Sequence, residues 1–308
     1  MSSSSSDNRS PSPHERDKDR RDAAERQHTA GKESRASAAH GEKTSGSAPS
    51  KDLASKDISP LLKGWDYEPG TINVRKVSGT DGQPKVQMRL ELGLLQMELT
   101  GRPDGARPHG CESLLDYFED QLKDHTRRHG TEMGFHLTAT QCQSLREEAQ
   151  MYYQRYLSLF VLEDFPRVVH DTARNLRVLD LCGKYAVEES DRVMLEQFRP
   201  YIVMMHARAN ASIALAKKQH AEALKFVQDA IDSIQEFLES MGQGEAFSKS
   251  NEVRVLKRVA REIRKQMPVD PLQKLQAQLD RAVKAERYED AARLRDEIRK
   301  QTGASGGA

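Results

Sequence analysis

The sequence predicts a mainly α protein: a helical-hairpin bundle with a small N-terminal β-hairpin, a C-terminal helical hairpin and a disordered N-terminal tail. Apolar residues recur at intervals of three and four from about residue 112 onward, whereas strict alternation is confined to residues 72–99. Residues 1–56 contain almost no large apolar side chain and cannot offset their ordering entropy. These observations divide the chain into a tail (1–56), a β region (57–110), a bundle (111–267), a hairpin (268–302) and a flexible tail (303–308).

Composition limits the classes of function. The 308 residues include 48 basic and 47 acidic side chains, so the net charge is +1 and no overall field attracts nucleic acid. Cys111, Cys142 and Cys182 form no CxxC pair, which favours neither a zinc ribbon nor a disulfide framework. No run approaches the ~18 apolar residues of a membrane span. We therefore expect a cytoplasmic protein with no membrane contact, no metal and no cofactor.

The β region reads as a hairpin followed by a loop. Residues 72–77 and 85–92 alternate, and the turn residues GTDGQP lie between them. Residues 93–99 add a candidate third strand, and residues 100–110 are rich in glycine and proline.

Helical spacing then dominates the middle of the chain. We predict helices over residues 113–125, 141–160, 191–218 and 221–241. The stripe predicted for 191–218 consists of Phe198, Ile202, Met205, Ala209, Ser212 and Ala216. The stripe predicted for 221–241 consists of Ala223, Val227, Ala230, Ile234 and Leu238.

Three predicted turns share one pattern, beginning at Asp164, Gln219 and Arg287. Each has a polar residue, a ring, two spacers and a small or branched apolar residue, which suits an antiparallel helix pair whose end is filled by the ring. The middle region is similar to tetratricopeptide helical hairpins. Its turns at Asp164 and Gln219 do not have the usual repeat of ~34 residues, so a regular array is not predicted.

Residues 270–300, DPLQKLQAQLDRAVKAERYEDAARLRDEIRK, resemble the UVR motif, the short helical hairpin of UvrB and UvrC. Asp270 is a candidate N-cap with Pro271 at the first helical position. The whole arrangement is similar to that of bacterial proteins that carry a UVR motif. This resemblance implies a protein contact, because UVR hairpins bind one another.

A hairpin this short buries little surface, and its remaining apolar face is a candidate docking surface. We predict an interface made by Leu275, Leu279, Tyr288, Ala291, Ala292, Leu294, Arg295 and Ile298. The alternative is that Tyr288 and the paired alanines only close an intramolecular hairpin.

The resemblance does not extend to the repair enzymes. UvrB needs a GxxxxGK[ST] phosphate loop, and neither Gly31-Lys32 nor Gly183-Lys184 has the flanking residues. We therefore expect no enzymatic activity. The leading hypothesis is an adaptor that binds another protein, which could carry its own UVR hairpin or be a second copy.

The loop at residues 100–112 is a candidate ligand site. Arg102 and Arg107 could grip an oxyanion, His109 could transfer a proton, and the amides after Gly110 could face an anion at the next helix start. The alternative is a rigid connector in which Asp104 and the arginines hold the turn. A small-ligand sensor or enzyme is thus a third hypothesis.

His125 and His129 share a helix face at the spacing of a metal pair. The intervening Arg127 and Arg128 disfavour a cation, so a solvated basic face is the preferred interpretation.

Residues 253–266 predict a basic amphipathic helix, with Val255, Val259 and Ile263 on its apolar side. Its candidate nucleic-acid residues are Arg254, Lys257, Arg258, Arg261 and Arg264. The second hypothesis is accordingly a DNA-repair accessory that binds DNA here. The alternative is that this face receives the acidic rim of the neighbouring bundle.

Overall fold

A computed structural model describes residues 57–267 and 271–304 and shows a mainly helical chain with one small antiparallel sheet. The fold-class prediction is confirmed. The tail predicted at 1–56 and the N-cap predicted at Asp270 lie outside the described residues.

The sheet has three antiparallel strands in the order β1-β2-β3. After a short helix α1 (Ser59–Leu62) come β1 (Val74–Ser78), β2 (Pro84–Leu90) and β3 (Gly93–Glu98). The β1–β2 turn includes Gly82 at a positive φ of 73°, a conformation that glycine adopts readily. The predicted third strand is present as β3. The first strand was predicted to begin at residue 72 and the second to end at residue 92, and both residues lie outside the paired strands.

The bundle consists of the helices α2 (Leu114–His129), α3 (Ala139–Val161), α4 (Phe165–Tyr185), α5 (Glu189–Val193), α6 (Arg199–Ala216), α7 (His220–Ser240) and α8 (Asn251–Gln266). The long helices pack in chain order: α3 against α4, α4 against α6, α6 against α7, and α7 against α8. The stripe predicted for 221–241 is fully buried on α7.

The continuous helix predicted over 191–218 is wrong. The chain makes the short helix α5 and a 3-10 turn (Glu196–Phe198) before α6 begins at Arg199. Pro200 lies in the first turn of α6, where its missing N–H costs least and its fixed φ suits a helix start. Phe198 consequently lies off the stripe and is 41% exposed. Ile202, Met205 and Ala209 are buried as predicted.

The core has two hydrophobic clusters. The larger joins the sheet to α6, α7, α8 and neighbouring halves of α3 and α4; the smaller joins α2 to the other halves of α3 and α4. The two clusters follow one another along α3, where Leu145 belongs to the smaller and Leu159 to the larger. Buried charged residues, Glu148 and Arg155 among them, occupy the positions between.

The three predicted hairpin turns have one geometry. A non-glycine residue with positive φ ends the first helix in each: Glu163, Lys218 and Glu286. The N–H of the following residue then donates to a carbonyl five residues earlier at 2.9 Å, in the pairs Asp164–Leu159, Gln219–Ala214 and Arg287–Ala282. This is a Schellman-type ending that satisfies the last carbonyls of the helix. The apolar residues one turn later, Val168, Ala223 and Ala291, are buried.

The last turn joins α9 (Pro271–Lys284) to α10 (Tyr288–Ala304). Helix α10 continues two residues beyond the predicted end of the hairpin at 302. Residues 305–308 lie outside the described part of the chain.

Candidate functional site

The C-terminal hairpin has a very small interior. Only Ala282 and Ala291, which are 2% and 8% exposed, are buried among the described side chains of α9 and α10. Five larger apolar residues are half-buried: Leu272, Leu275, Leu279, Leu294 and Ile298. Two alanines at the contact let the helices approach closely, but they remove little apolar surface from water. The hairpin therefore keeps apolar surface that it cannot cover by itself.

A shallow groove runs between the two helices near the turn. Its lining residues are Leu279, Asp280, Val283, Lys284, Tyr288, Ala291, Ala292 and Arg295, which we call the hairpin groove. Val283 is 50% exposed and Tyr288 is 69% exposed. Exposed apolar and aromatic groups that lie together in one groove are typical of a contact surface.

Tyr288 differs from the rings of the other two turns. Phe165 and His220 occupy the same position in their turns and are half-buried, whereas Tyr288 is exposed. The ring predicted to fill the end of its hairpin therefore does not do so here. This difference favours a contact outside the hairpin over simple closure of the turn.

The structure brings five of the predicted interface residues together. Those that line the groove are Leu279, Tyr288, Ala291, Ala292 and Arg295. Leu275, Leu294 and Ile298 are half-buried and do not line it. The paired alanines have separate surroundings, since Ala291 is buried and Ala292 is exposed.

Asp280, Val283 and Lys284 were not predicted as interface residues, although they line the groove. The signal was their spacing: Val283 lies four residues after Leu279 and Lys284 lies four residues after Asp280, so they form neighbouring rows on one helix face.

The hairpin packs mainly on itself. The extensive contacts of α9 and α10 within residues 57–267 and 271–304 are with each other. Neither hydrophobic cluster includes a residue of α9 or α10. The bundle therefore does not cover the hairpin groove.

Residues 270–300 match the family described as the UvrB/uvrC motif. The matched segment contains both arms of the hairpin up to Lys300, so the resemblance seen in the sequence is confirmed for this segment. No curated protein and no solved structure matches the chain.

Helix α8 forms a second surface of interest. Val253, Leu256, Ala260 and Ile263 are buried in the larger cluster, whereas Val255 and Val259 are only half-buried beside it. The predicted basic residues are all exposed: Arg254, Lys257, Arg258, Arg261 and Arg264. The apolar side is thus rotated relative to the predicted one, and the basic face is free of apolar side chains.

The acidic rim of the bundle does not neutralise this basic face. No carboxylate in the described part of the chain lies within ion-pairing distance of Arg254, Arg258, Arg261 or Arg264. Within residues 57–267 and 271–304, the one ion pair on this face joins Lys265 to Glu262 of the same helix at 2.9 Å. Lys257 lies over the ring of Phe247, 5.1 Å from its centroid.

The polar side chains of the loop at 100–112 contact other groups of the protein, although Asp104, Arg107 and His109 are exposed. Arg102 pairs with Asp104 at 3.0 Å and approaches Glu148 at 3.5 Å. Arg107 donates to the carbonyl of Gly110 at 3.4 Å, and His109 stacks on Tyr117 with centroids 4.0 Å apart. These contacts support the connector interpretation.

An internal carboxylate occupies the anion position predicted at the start of α2. The N–H groups of Leu114 and Leu115 donate to Glu148 at 2.8 and 3.3 Å. Glu148 is fully buried and also accepts a hydrogen bond from Arg174. The helix N-terminus therefore stabilises a carboxylate of α3 and leaves less room for an external anion.

A buried polar layer between the clusters was not predicted. Arg155 donates twice to Asp171, both at 2.8 Å, and also to the carbonyls of Glu98 and Gly101. The guanidinium groups of Arg155 and Arg174 lie 4.8 and 4.1 Å from the ring centroid of Tyr152, and burial raises the pKa of Tyr152 to about 12. The spacing of Glu148 and Arg155, two turns apart and flanking Tyr152, was the available signal.

The rings of His125 and His129 are 4.5 Å apart, and Nε2 of His125 lies 2.9 Å from the carbonyl of Met133. No cluster of three or more potential metal ligands was found among the described residues. None of the helices that the structure describes is long and apolar enough to cross a membrane.

Proposed function

We propose that the chain is a non-enzymatic adaptor that binds another protein through the hairpin groove. The observation that carries this proposal is the exposure of Val283 and Tyr288 on a hairpin that the bundle leaves uncovered. Covering what remains exposed of Tyr288 would contribute roughly 2–3 kcal/mol, which is a useful share of a micromolar complex.

The geometry favours a helical occupant. A groove between two short antiparallel helices accepts a third and a fourth helix at a shallow crossing angle, which completes a four-helix arrangement. Another helical hairpin of the same kind fits best, because it would have the same uncovered apolar face. The UvrB/uvrC motif match supports this chemistry, since it covers the groove and not the bundle.

Charged residues at the groove restrict the partner. Asp280, Lys284 and Arg295 place both signs of charge beside the apolar surface. A partner with acidic and basic side chains in matching positions is favoured, and a uniformly charged partner is disfavoured. A second copy of this chain meets the condition and would give self-association. A partner of the UvrB or UvrC type would favour the DNA-repair alternative.

The test compares groove variants on α9 and α10 with a control on α10. Val283→Asp and Tyr288→Ala are made in the full chain, with Arg293→Ala as an exposed control outside the groove. A protein captured by the wild type is purified, and its direct binding is measured by calorimetry. Sedimentation of the chain alone measures self-association.

We expect both groove variants to weaken the complex at least about tenfold, which corresponds to ~1.4 kcal/mol, while the control stays near the wild type. Equal binding by the wild type and Val283→Asp would overturn the proposal.

A further inference from the structure

We propose that the exposed face of α8 binds double-stranded nucleic acid through its phosphate backbone, without reading base sequence. This surface is separate from the hairpin groove and does not depend on it. Helix α8 is anchored by its buried residues Leu256 and Ile263, so the opposite face is held rigidly in solvent.

The cations on this face are available to a ligand. Arg254, Arg258, Arg261 and Arg264 are exposed, and no carboxylate of the described residues pairs with them. Arginine holds phosphate through paired N–H groups and is more weakly hydrated than lysine, so a face dominated by arginine suits phosphate oxygens. Lys257, placed over Phe247, adds a fifth cation.

The dimensions suit a duplex. Arg264 follows Arg254 by ten positions, which is about 15 Å along the helix axis. The same length of duplex carries about nine phosphates on its two strands, so the five cations can each meet a phosphate.

Three other partners fit the face less well: a membrane surface, a protein and a single nucleic-acid strand. An interfacial membrane helix needs a free apolar face, and the apolar face of α8 is already buried in the larger cluster. The core of a protein interface is rich in aromatic and apolar side chains, and the exposed half of α8 has none. The same absence of aromatic residues disfavours single strands, whose bases stack on rings. Regularly spaced duplex phosphates remain the best match.

The experiment measures binding of the full chain to a labelled duplex of about 20 base pairs, about two helical turns, over a range of salt concentrations. The test variant is Arg258→Gln/Arg261→Gln. The matched control is Arg127→Gln/Arg128→Gln, which removes the same charge from two exposed arginines of α2. Polyglutamate and a single strand are the competitors.

For the wild type we expect log K to fall with log salt concentration at a slope of about −4 to −5. The test variant should reduce that slope by about 2 and weaken binding roughly 10- to 100-fold at ~0.1 M salt, and the control should do neither. The proposal is overturned if the wild type does not bind, if both double variants lose affinity equally, or if polyglutamate or the single strand displaces the duplex at equal charge concentration.

Discussion

Arg155 and Asp171 form a two-point ion pair in the middle of the bundle, and each side chain is only 1% exposed. The pair joins α3 to α4. Because Arg155 also donates to the carbonyls of Glu98 and Gly101, it fixes the chain where it leaves the sheet. One guanidinium thus holds together three parts of the fold that are distant in sequence.

The first prediction concerns this pair. Arg155→Met should lower the free energy of unfolding by about 3–5 kcal/mol, because it leaves the Asp171 carboxylate buried without a counter-charge. Arg127→Met is the control, since Arg127 pairs with Asp124 at 3.0 Å on the surface and should cost less than ~1 kcal/mol. Urea denaturation measures both. Similar losses for the two variants would show that the buried pair contributes no more to stability than the surface pair.

The second prediction concerns His206, which lies 2.9 Å from the hydroxyl of Thr172. Burial lowers the pKa of His206, so the unfolded chain binds its proton more tightly and stability falls as the pH drops below about 6.5. His206→Gln should therefore lose less stability than the wild type between about pH 8 and about pH 5.5. Thermal unfolding at both pH values measures the stability that each protein loses. An equal loss of stability in the two proteins would show that His206 does not cause this pH dependence.

The third prediction concerns His170, whose effect on the pH dependence of stability is opposite to that of His206. The hydrogen bond from His170 to Asp171 raises the pKa of His170, so its contribution is present below about pH 6.5 and is lost as the pH rises through the folded-state value. The stability difference between the wild type and His170→Gln should be larger at about pH 5.5 than at about pH 8. The same unfolding experiment measures this stability difference. A stability difference that increases with pH would contradict the prediction.

The fourth prediction concerns the shared turn. Lys218 has a φ of 61°, a conformation that costs a side-chain-bearing residue about 1–2 kcal/mol. Lys218→Gly should stabilise the chain by roughly 0.5–1 kcal/mol after the entropy cost of glycine is subtracted. Its neighbour Lys217 has a φ of −89°, so Lys217→Gly should give no gain. Chemical denaturation measures the free energy of unfolding of both variants. An equal effect of the two substitutions would show that the positive φ of Lys218 does not destabilise the turn.

The spacing of apolar residues within short segments predicted those parts of the fold that depend on neighbouring residues alone. The buried stripe of α7 and the three hairpin turns follow from apolar residues three and four apart and from the residues that end and start helices. The break before α6 was also readable, because Pro200 marks a helix start. The error there was to give apolar period more weight than proline.

Long-range pairings were not readable from the sequence. Glu148 meets Arg174 across 26 positions, and Arg155 meets Asp171 across 16, so no local window contains both members. At the hairpin, spacing predicted which residues share a face but not how far each is exposed. Tyr288 and Phe165 occupy equivalent turn positions, and only the packing around them makes one exposed and the other half-buried.

The most direct test of the adaptor proposal is a photo-crosslinking amino acid at position 288 of the full chain in living cells, with position 293 as the exposed control. We expect position 288 to crosslink to helical residues of another polypeptide, or of a second copy of this chain, and position 293 to do so far less. Crosslinks from position 288 that reach only residues 57–267 of the same molecule would contradict it, because the bundle would then cover the groove.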